Sequence, residues 1–185
     1  MALLFRDAMK RLSYPTIILT SSAPLNSEPS KYHGLTISSM TSLSLNPKPL
    51  LQFNLQLPSH TSRALRMHNL FAVHFLRPDY KSIELAKRFS QGTRVGGTHP
   101  FLGLKKLKDY SLFLGSEEIE LPLLKHAERI LICKTKDAFV VQDHEIWVGE
   151  VIDSIINSPE EETVMGGLLH CNRRFYKLGD TVSGK

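Results

Sequence analysis

The chain has 185 residues, 42% of them hydrophobic and 22% charged, with a formal net charge of +5 and a pI near 9.2. That is enough for a single domain spanning 1–185 with its own hydrophobic core, and the composition excludes a disordered chain. No apolar run approaches the length of a bilayer crossing, and the lysines and arginines are scattered except in "LKKLKD" (Leu104 to Asp109), so neither a membrane nor a nucleic-acid partner is expected.

The opening "MALLFRDAMKRL" is basic but contains Asp7 and lacks a long apolar centre, so it does not read as a secretory signal. Phe5, Met9 and Leu12 fall on one face and predict a short amphipathic helix. A cytoplasmic location is expected, with mitochondrial import as the alternative use of this segment. Tyr14 to Ser22 is rich in β-branched residues and predicts a strand; Ala23 to His33 is rich in Pro and Ser and predicts a loop. "HGLTISSMTSLSLNPKP" (His33 to Pro49) predicts a strand ending in a proline turn, and the alternating "LLQFNLQL" (Leu50 to Leu57) another.

His60 to Asn69 predicts a short capped helix, and Phe71 to Leu76 a nearly continuous apolar strand. Asp79 to Ser90 predicts a helix with Asp79 as N-cap and Ile83, Ala86 and Phe89 as its buried stripe. "QGTRVGGTHP" is expected to be mobile, and Phe101 to Lys125 shows no clear period. Ala127 to Val141 and His144 to Ile156 predict two long strands joined by a tight turn at Gln142 and Asp143. "SPEEET" predicts an acidic loop and Arg173 to Gly179 a closing strand. Six or seven strands with two or three helices, and no helix at every crossover, predict an antiparallel barrel rather than a doubly wound parallel sheet.

Three stretches carry candidate chemistry. Between His33 and Pro49, alternate positions face opposite sides of a strand, so Thr36, Ser38, Ser42 and Ser44 share a face opposite Leu35, Ile37, Leu43 and Leu45. The phase breaks at Ser39, Met40 and Thr41, which predicts a bend or bulge. The hydroxyl row can serve a ring of mixed donors and acceptors, such as a flavin, or form the wet face of an edge strand; spacing leaves both open. "PSHTSRAL" places Ser59, Thr61, Ser62 and Arg63 at a helix start, which suits either a phosphate or plain N-capping. "QDHEIWVGEV" places His144 at a turn beside Asp143, as a ligand contact, a proton-transfer group or a polar turn residue. No GxGxxG follows a strand, no histidine pair has helical metal-ligand spacing, and no metal is expected. Cys133 and Cys171, the only cysteines, have no disulfide or zinc spacing.

In this order, "HGLTISSMTSLSLNPKPLLQFNL", "SHTSRALR" and "QDHEIWVGEV" resemble the flavin reductase-like family of the FMN-binding split barrel, from about Phe5 to Leu178. Gln142 stands where that family usually has Gly, and Arg173 near another Gly of the family's C-terminal segment. The resemblance implies a mainly β, antiparallel Greek-key split barrel with a few short peripheral helices, acting as a homodimer. It implies that FMN or FAD is reduced by NADH or NADPH through hydride transfer to flavin N5, the flavin being either a bound cofactor or a substrate released to a partner monooxygenase. A flavoprotein that binds FMN without rapid NAD(P)H turnover is the alternative. By position, Thr36, Ser38 and Ser39 would contact the isoalloxazine ring, and Asn54 the ring or ribityl chain. Ser59, Thr61 and Ser62 would hold the phosphate, and His144 would lie on the nicotinamide side. Ser44 joins the cofactor-binding candidates through the hydroxyl row.

Overall fold

Residues 1–91, 99–157 and 166–181 are described by a computed structural model. The glycine-rich stretch expected to be mobile and the acidic "SPEEET" segment fall almost entirely outside the described residues. In chain order the elements are α1 (Ala2–Met9), β1 (Tyr14–Pro15), β2 (Ile17–Ser21), β3 (Ala23–Pro24), β4 (Gly34–Ile37), β5 (Thr41–Ser44), β6 (Leu50–Gln56), α2 (His60–His68), β7 (Leu70–Phe75), α3 (Tyr80–Ser90), β8 (Tyr110–Leu114), β9 (Ile119–Leu124), β10 (Arg129–Val141), β11 (His144–Ile156), β12 (Leu169–Cys171) and β13 (Arg174–Tyr176).

The central sheet has the order β4-β2-β7-β10-β11-β6-β5, and every pairing in it is antiparallel. Its longest ladder runs from Arg129↔Ile156 to Val141↔His144; the turn at Gln142 and Asp143 sets the register as far as Asp137↔Val148, beyond which the ladder shifts between Thr135 and Asp137 and again between Ile132 and Cys133. Gln142 takes that turn with φ 54, the left-handed conformation that glycine adopts most easily. The two edge strands, β4 and β5, are consecutive in the chain and joined by only three residues, Ser38 to Met40. Four Cα steps of at most about 3.6 Å hold Ile37 and Thr41 within roughly 14 Å. The sheet must therefore curl until its two edges approach each other. The Ser39 hydroxyl fastens the link to β6, accepting from the Asn54 N–H at 2.9 Å and facing its carbonyl oxygen at 3.3 Å.

The period-two pattern of β6 sends Leu51, Phe53 and Leu55 into the core and leaves Asn54 and Gln56 outside. Inside the curl those three pack with Ile17, Leu19, Leu65, Phe71, Val73 and Trp147. Burial of the Cys133 thiol among them pushes its pKa up to about 12. A second cluster lies under α3, where Phe89 meets Ile18, Leu85, Phe101 and Tyr110. Glycine is required at position 34 for this packing, because a Cβ there would stand 2.7 Å from the Leu19 carbonyl oxygen and 2.9 Å from the Phe89 ring. The Thr36 hydroxyl donates to the Ala86 carbonyl at 2.7 Å and ties β4 to α3.

The mainly β antiparallel architecture agrees with the sequence expectation. The strand count does not: the described residues hold thirteen strand segments, seven in the central sheet and six in two three-stranded sheets. Segments as short as Tyr14–Pro15 carry no detectable period. The loop predicted over Ala23 to His33 contains β3 and a 3₁₀ turn at Pro29–Lys31. The uncalled stretch after Phe101 holds the β8–β9 hairpin. In α3 the buried residues are Ser82, Leu85, Ala86 and Phe89, with Ile83 only half-buried. The N-terminal helix forms, but none of its residues is buried, and Phe5 is 65% exposed.

Candidate functional site

The curl leaves an open cleft of about 950 Å³ between β4, the end of β6, the start of α2 and the C-terminal end of α3. It draws together Thr36, Ser38, Ser39, Asn54, Ser59, Thr61 and His144, which lie up to 108 positions apart in the chain. Each arrives for a local reason. Ser38 and Ser39 sit on the bend between the two edge strands, Asn54 on the outward face of β6, and His144 at the first position of β11, opposite Gln56.

Ser44 and Ser62 lie elsewhere. The bend at Ser38 to Met40 breaks the single face expected for the hydroxyl row. Met40 packs against the core, and Ser44 ends up beyond the cleft, its hydroxyl donating to the Asn46 carbonyl at 2.9 Å. Ser62 occupies the third position of α2, where the helical turn directs it inward. Its hydroxyl donates to the buried Glu145 carboxylate. Thr36 and Ser39 line the cleft, but both donate their hydroxyl protons within the fold. Ser38 is exposed and makes no such bond among the described residues.

One wall is β4, an edge strand paired only with β2, so its outer N–H and C=O groups face the cleft without a strand partner. The other is the N-terminus of α2. Ser59 caps it, its hydroxyl accepting from the Ser62 N–H at 3.1 Å. The His60 and Thr61 amides make no hydrogen bond among the described residues, and Arg63 stands beside them without an ion pair. Free amides at a helix start, backed by an arginine, form a ready anion site.

His144 is held by its neighbour: Nδ1 donates to the Asp143 carboxylate at 2.9 Å, leaving Nε2 as the other ring nitrogen. The same hydrogen bond lowers the Asp143 pKa. Behind the cleft, Glu145 accepts from Ser62, from Arg66 Nε at 3.1 Å and from Trp147 Nε1 at 3.1 Å. Burial pushes the Glu145 pKa up, but the hydrogen bonds from Ser62 and Arg66 outweigh it and leave the carboxyl below its ordinary value.

Sequence reasoning missed the histidines. His33 and His60 stack with ring centroids 5.5 Å apart and planes 19° apart, and His99 stands 6.1 Å from His33. Burial, then the neighbouring His60 and His99, lower the His33 pKa to about 4. Nothing in the spacing of positions 33, 60 and 99 signals this pairing. It arises because β4 and α2 meet at one end of the cleft.

The family described as "Flavin reductase like domain" matches residues 9–179. The chain belongs to this flavin reductase-like family. An NADH:riboflavin 5′-phosphate oxidoreductase of Streptomyces pristinaespiralis is 27% identical over 161 residues, covering 87% of this chain and 81% of that one. Among solved structures, the flavin reductase HpaC complexed with NADP⁺ is 27% identical, with a TM-score of 0.73 over 96% of this chain and 98% of its own. A flavin reductase domain protein from Arthrobacter sp. FB24 superposes with a TM-score of 0.76 over 99% of both chains at 23% identity, a likeness of fold.

Proposed function

We propose that the chain reduces flavin with NAD(P)H and that the cleft is where the two rings meet. The observation that carries this is the convergence of an unpaired strand edge with a helix N-terminus whose amides are free. The edge of β4 and Ser38 suit the donors and acceptors along the flavin's pyrimidine ring. Asn54 suits the ribityl chain. Ser59, Thr61 and Arg63, with the helix amides, suit the phosphate. Thr36 and Ser39 hold the shape of the wall through their bonds to Ala86 and Asn54. FMN meets all of these contacts, and FAD carries the same half.

The chain is an NAD(P)H:flavin oxidoreductase. Bound flavin supplies N5 as acceptor of the hydride from nicotinamide C4. The protein's part is to hold two flat rings face to face and exclude misoriented encounters, which needs positioning groups rather than a strong acid or base. His144, steered by Asp143, is the positioning group on the nicotinamide side. Its replacement by alanine should lower kcat/KM for NAD(P)H by about tenfold to a hundredfold, the loss of roughly 1–3 kcal/mol of transition-state contact, with flavin affinity near wild type. Anaerobic bleaching of the flavin's visible absorbance by NADH and by NADPH measures both. Unchanged bleaching in the variant would remove His144 from the mechanism. A wild-type protein that binds FMN but does not bleach would be a flavin carrier instead.

The assembly proposed is a homodimer. Phe139, Val140 and Val141 at the tip of the β10–β11 hairpin are 51%, 64% and 49% exposed, immediately beside His144. Leu43 and Leu45 add 47% and 74% exposed apolar side chains near the other edge strand. Sedimentation should show a dimer that Val140→Glu weakens; a monomer in the wild type would refute it. The cleft is open to solvent, which suits release of reduced flavin to a partner monooxygenase.

A further inference from the structure

A second groove, of about 380 Å³, adjoins the cleft, and His33, His60 and Arg63 line both, so the stacked imidazoles stand between the two. His60 is the first residue of α2, and its backbone amide is one of those left free at that helix start. His60 is exposed and His33 half-buried. The histidine rings that hydrogen-bond among the described residues are those of His74, His126 and His144, so the rings of His33 and His60 have no such bond there. The fixed charges around the pair are of one sign. Arg63 faces it from α2 and Lys31 from the 3₁₀ turn at Pro29–Lys31. The other titratable neighbours are rings: His99 beside His33, His68 in the groove and His144 on the opposite wall of the cleft. Among the described residues no Asp or Glu lines the cleft or the groove, and neither Lys31 nor Arg63 makes an ion pair.

We infer that His60 is a specificity-determining residue for phosphorylated flavins: it takes up a proton from solvent when the phosphate binds at the start of α2, with the His33 ring as its stacking partner. The inference rests on the assignment of the cleft as the flavin site. An ordinary imidazole is largely neutral above about pH 7. In the empty site a proton on His60 adds a third positive charge beside Arg63 and Lys31, with no carboxylate lining either depression to offset it. A phosphate on the His60 and Thr61 amides reverses that sign. It brings about two negative charges within one side-chain length of the ring and gives a ring N–H an oxygen to donate to. His33 offers the charged ring a neutral aromatic face, since burial, then the neighbouring rings and cations, lower its own pKa to about 4. A site that holds one more proton with phosphate bound than without it binds phosphate more tightly as pH falls. Between about pH 8 and 7 the phosphate monoester is already doubly ionised, its second pKa being about 6, so its own titration does not enter. Riboflavin has the same rings and no phosphate, and leaves His60 uncharged.

The test is calorimetric titration with FMN and with riboflavin at about pH 7.5, in two non-phosphate buffers of unlike ionisation heat, whose difference counts the protons exchanged on binding. Wild type should take up about one-half to one proton per FMN and none per riboflavin. Its FMN affinity should rise about threefold to tenfold from about pH 8 to 7, while its riboflavin affinity holds. His60→Asn should abolish the uptake and flatten the pH dependence. That residue is exposed, and a thermal melt of the variant checks that it is folded. His33→Asn and His144→Ala should each keep at least about half of the uptake, because neither ring is the one that charges. No uptake in the wild type, release of protons, equal uptake with riboflavin, or uptake that survives His60→Asn would overturn the inference. So would loss of the uptake in His144→Ala, which would move the proton to the opposite wall. Failure of the wild type to bind FMN or riboflavin at all would instead strike at the cleft assignment, and is distinguishable because the binding heat reports it before any proton is counted.

Discussion

Glu145→Ala is expected to lower the free energy of unfolding by about 2–4 kcal/mol, and to weaken flavin binding at the same time. Glu145 is 3% exposed and accepts from three side chains: Ser62, Arg66 through both Nε and Nη2, and Trp147. Removing one partner of a buried ion pair costs about 3–5 kcal/mol when the other charge stays buried. The Arg66 side chain is 48% exposed, so it regains water and that figure has to be discounted. What stays unpaired is the Trp147 indole N–H and the Ser62 hydroxyl, at about 1–3 kcal/mol for each buried group left without a partner. Ser62 receives its own backbone cap from Ser59, so the same carboxylate anchors the helix turn that faces the cleft. Glu145→Gln keeps an acceptor and the side-chain volume, and should lose about half as much. Urea denaturation of the three proteins tests this. A loss under 0.5 kcal/mol in the alanine variant, within the scatter of ordinary surface substitutions, would mean the network is dispensable.

The same network shows what the sequence can and cannot tell. Long elements with a strong period were legible: the alternation of β6, the paired runs of β10 and β11, and the Asp79 cap of α3, whose side chain accepts from the Ser82 N–H at 2.7 Å. The break in phase at Ser39 to Thr41 was legible as a bend, and the bend closes the sheet on itself. What it does to Ser44 was not, because a face continues along a strand only while the strand stays straight. Ser62 was grouped with Ser59 and Thr61 by closeness in sequence. A helix turns about 100° per residue, so neighbours in a cap point different ways, and only a partner 83 positions away shows which.

The cleft itself was legible through residue types and order, since the hydroxyl stretch, the helix start and the Asp-His turn do converge. The histidine stack and the second groove were not. They are products of tertiary contact between β4, the loop after β3 and α2, elements with no shared sequence period. The β8–β9 hairpin escaped for a different reason: its strands are five and six residues long and separated by "GSEE", a turn that reads equally well as a surface loop.

Acidification should destabilise the protein before its carboxylates are protonated, because His74 has to charge. His74 is fully buried on β7, where the central sheet meets β9. Its Nδ1 donates to the Ile18 carbonyl at 3.0 Å, and its Nε2 accepts from the Leu124 N–H at 3.1 Å. One neutral tautomer satisfies both bonds. A second ring proton would point at an N–H group and carry a charge into the core. Burial accordingly lowers the His74 pKa from 6.5 to about 4. The unfolded chain binds this proton and the folded chain does not between those two values, so stability falls as pH drops through that window and is fully present above it. At about 1.4 kcal/mol per pH unit the loss is on the order of 3 kcal/mol. His33 shifts in the same direction from its half-buried position and adds to the loss. The lowered pKa values of Asp79 and Glu145 cost stability only as pH falls into the ordinary carboxylate range, from about pH 5 downward, so the interval between about pH 6.5 and 5 belongs to the histidines. Urea midpoints taken across that interval should fall steadily in the wild type. In His74→Gln, less stable throughout because glutamine cannot reproduce both bonds, the slope should flatten to what His33 alone contributes. Parallel slopes in the two proteins would show that His74 is not the group that titrates.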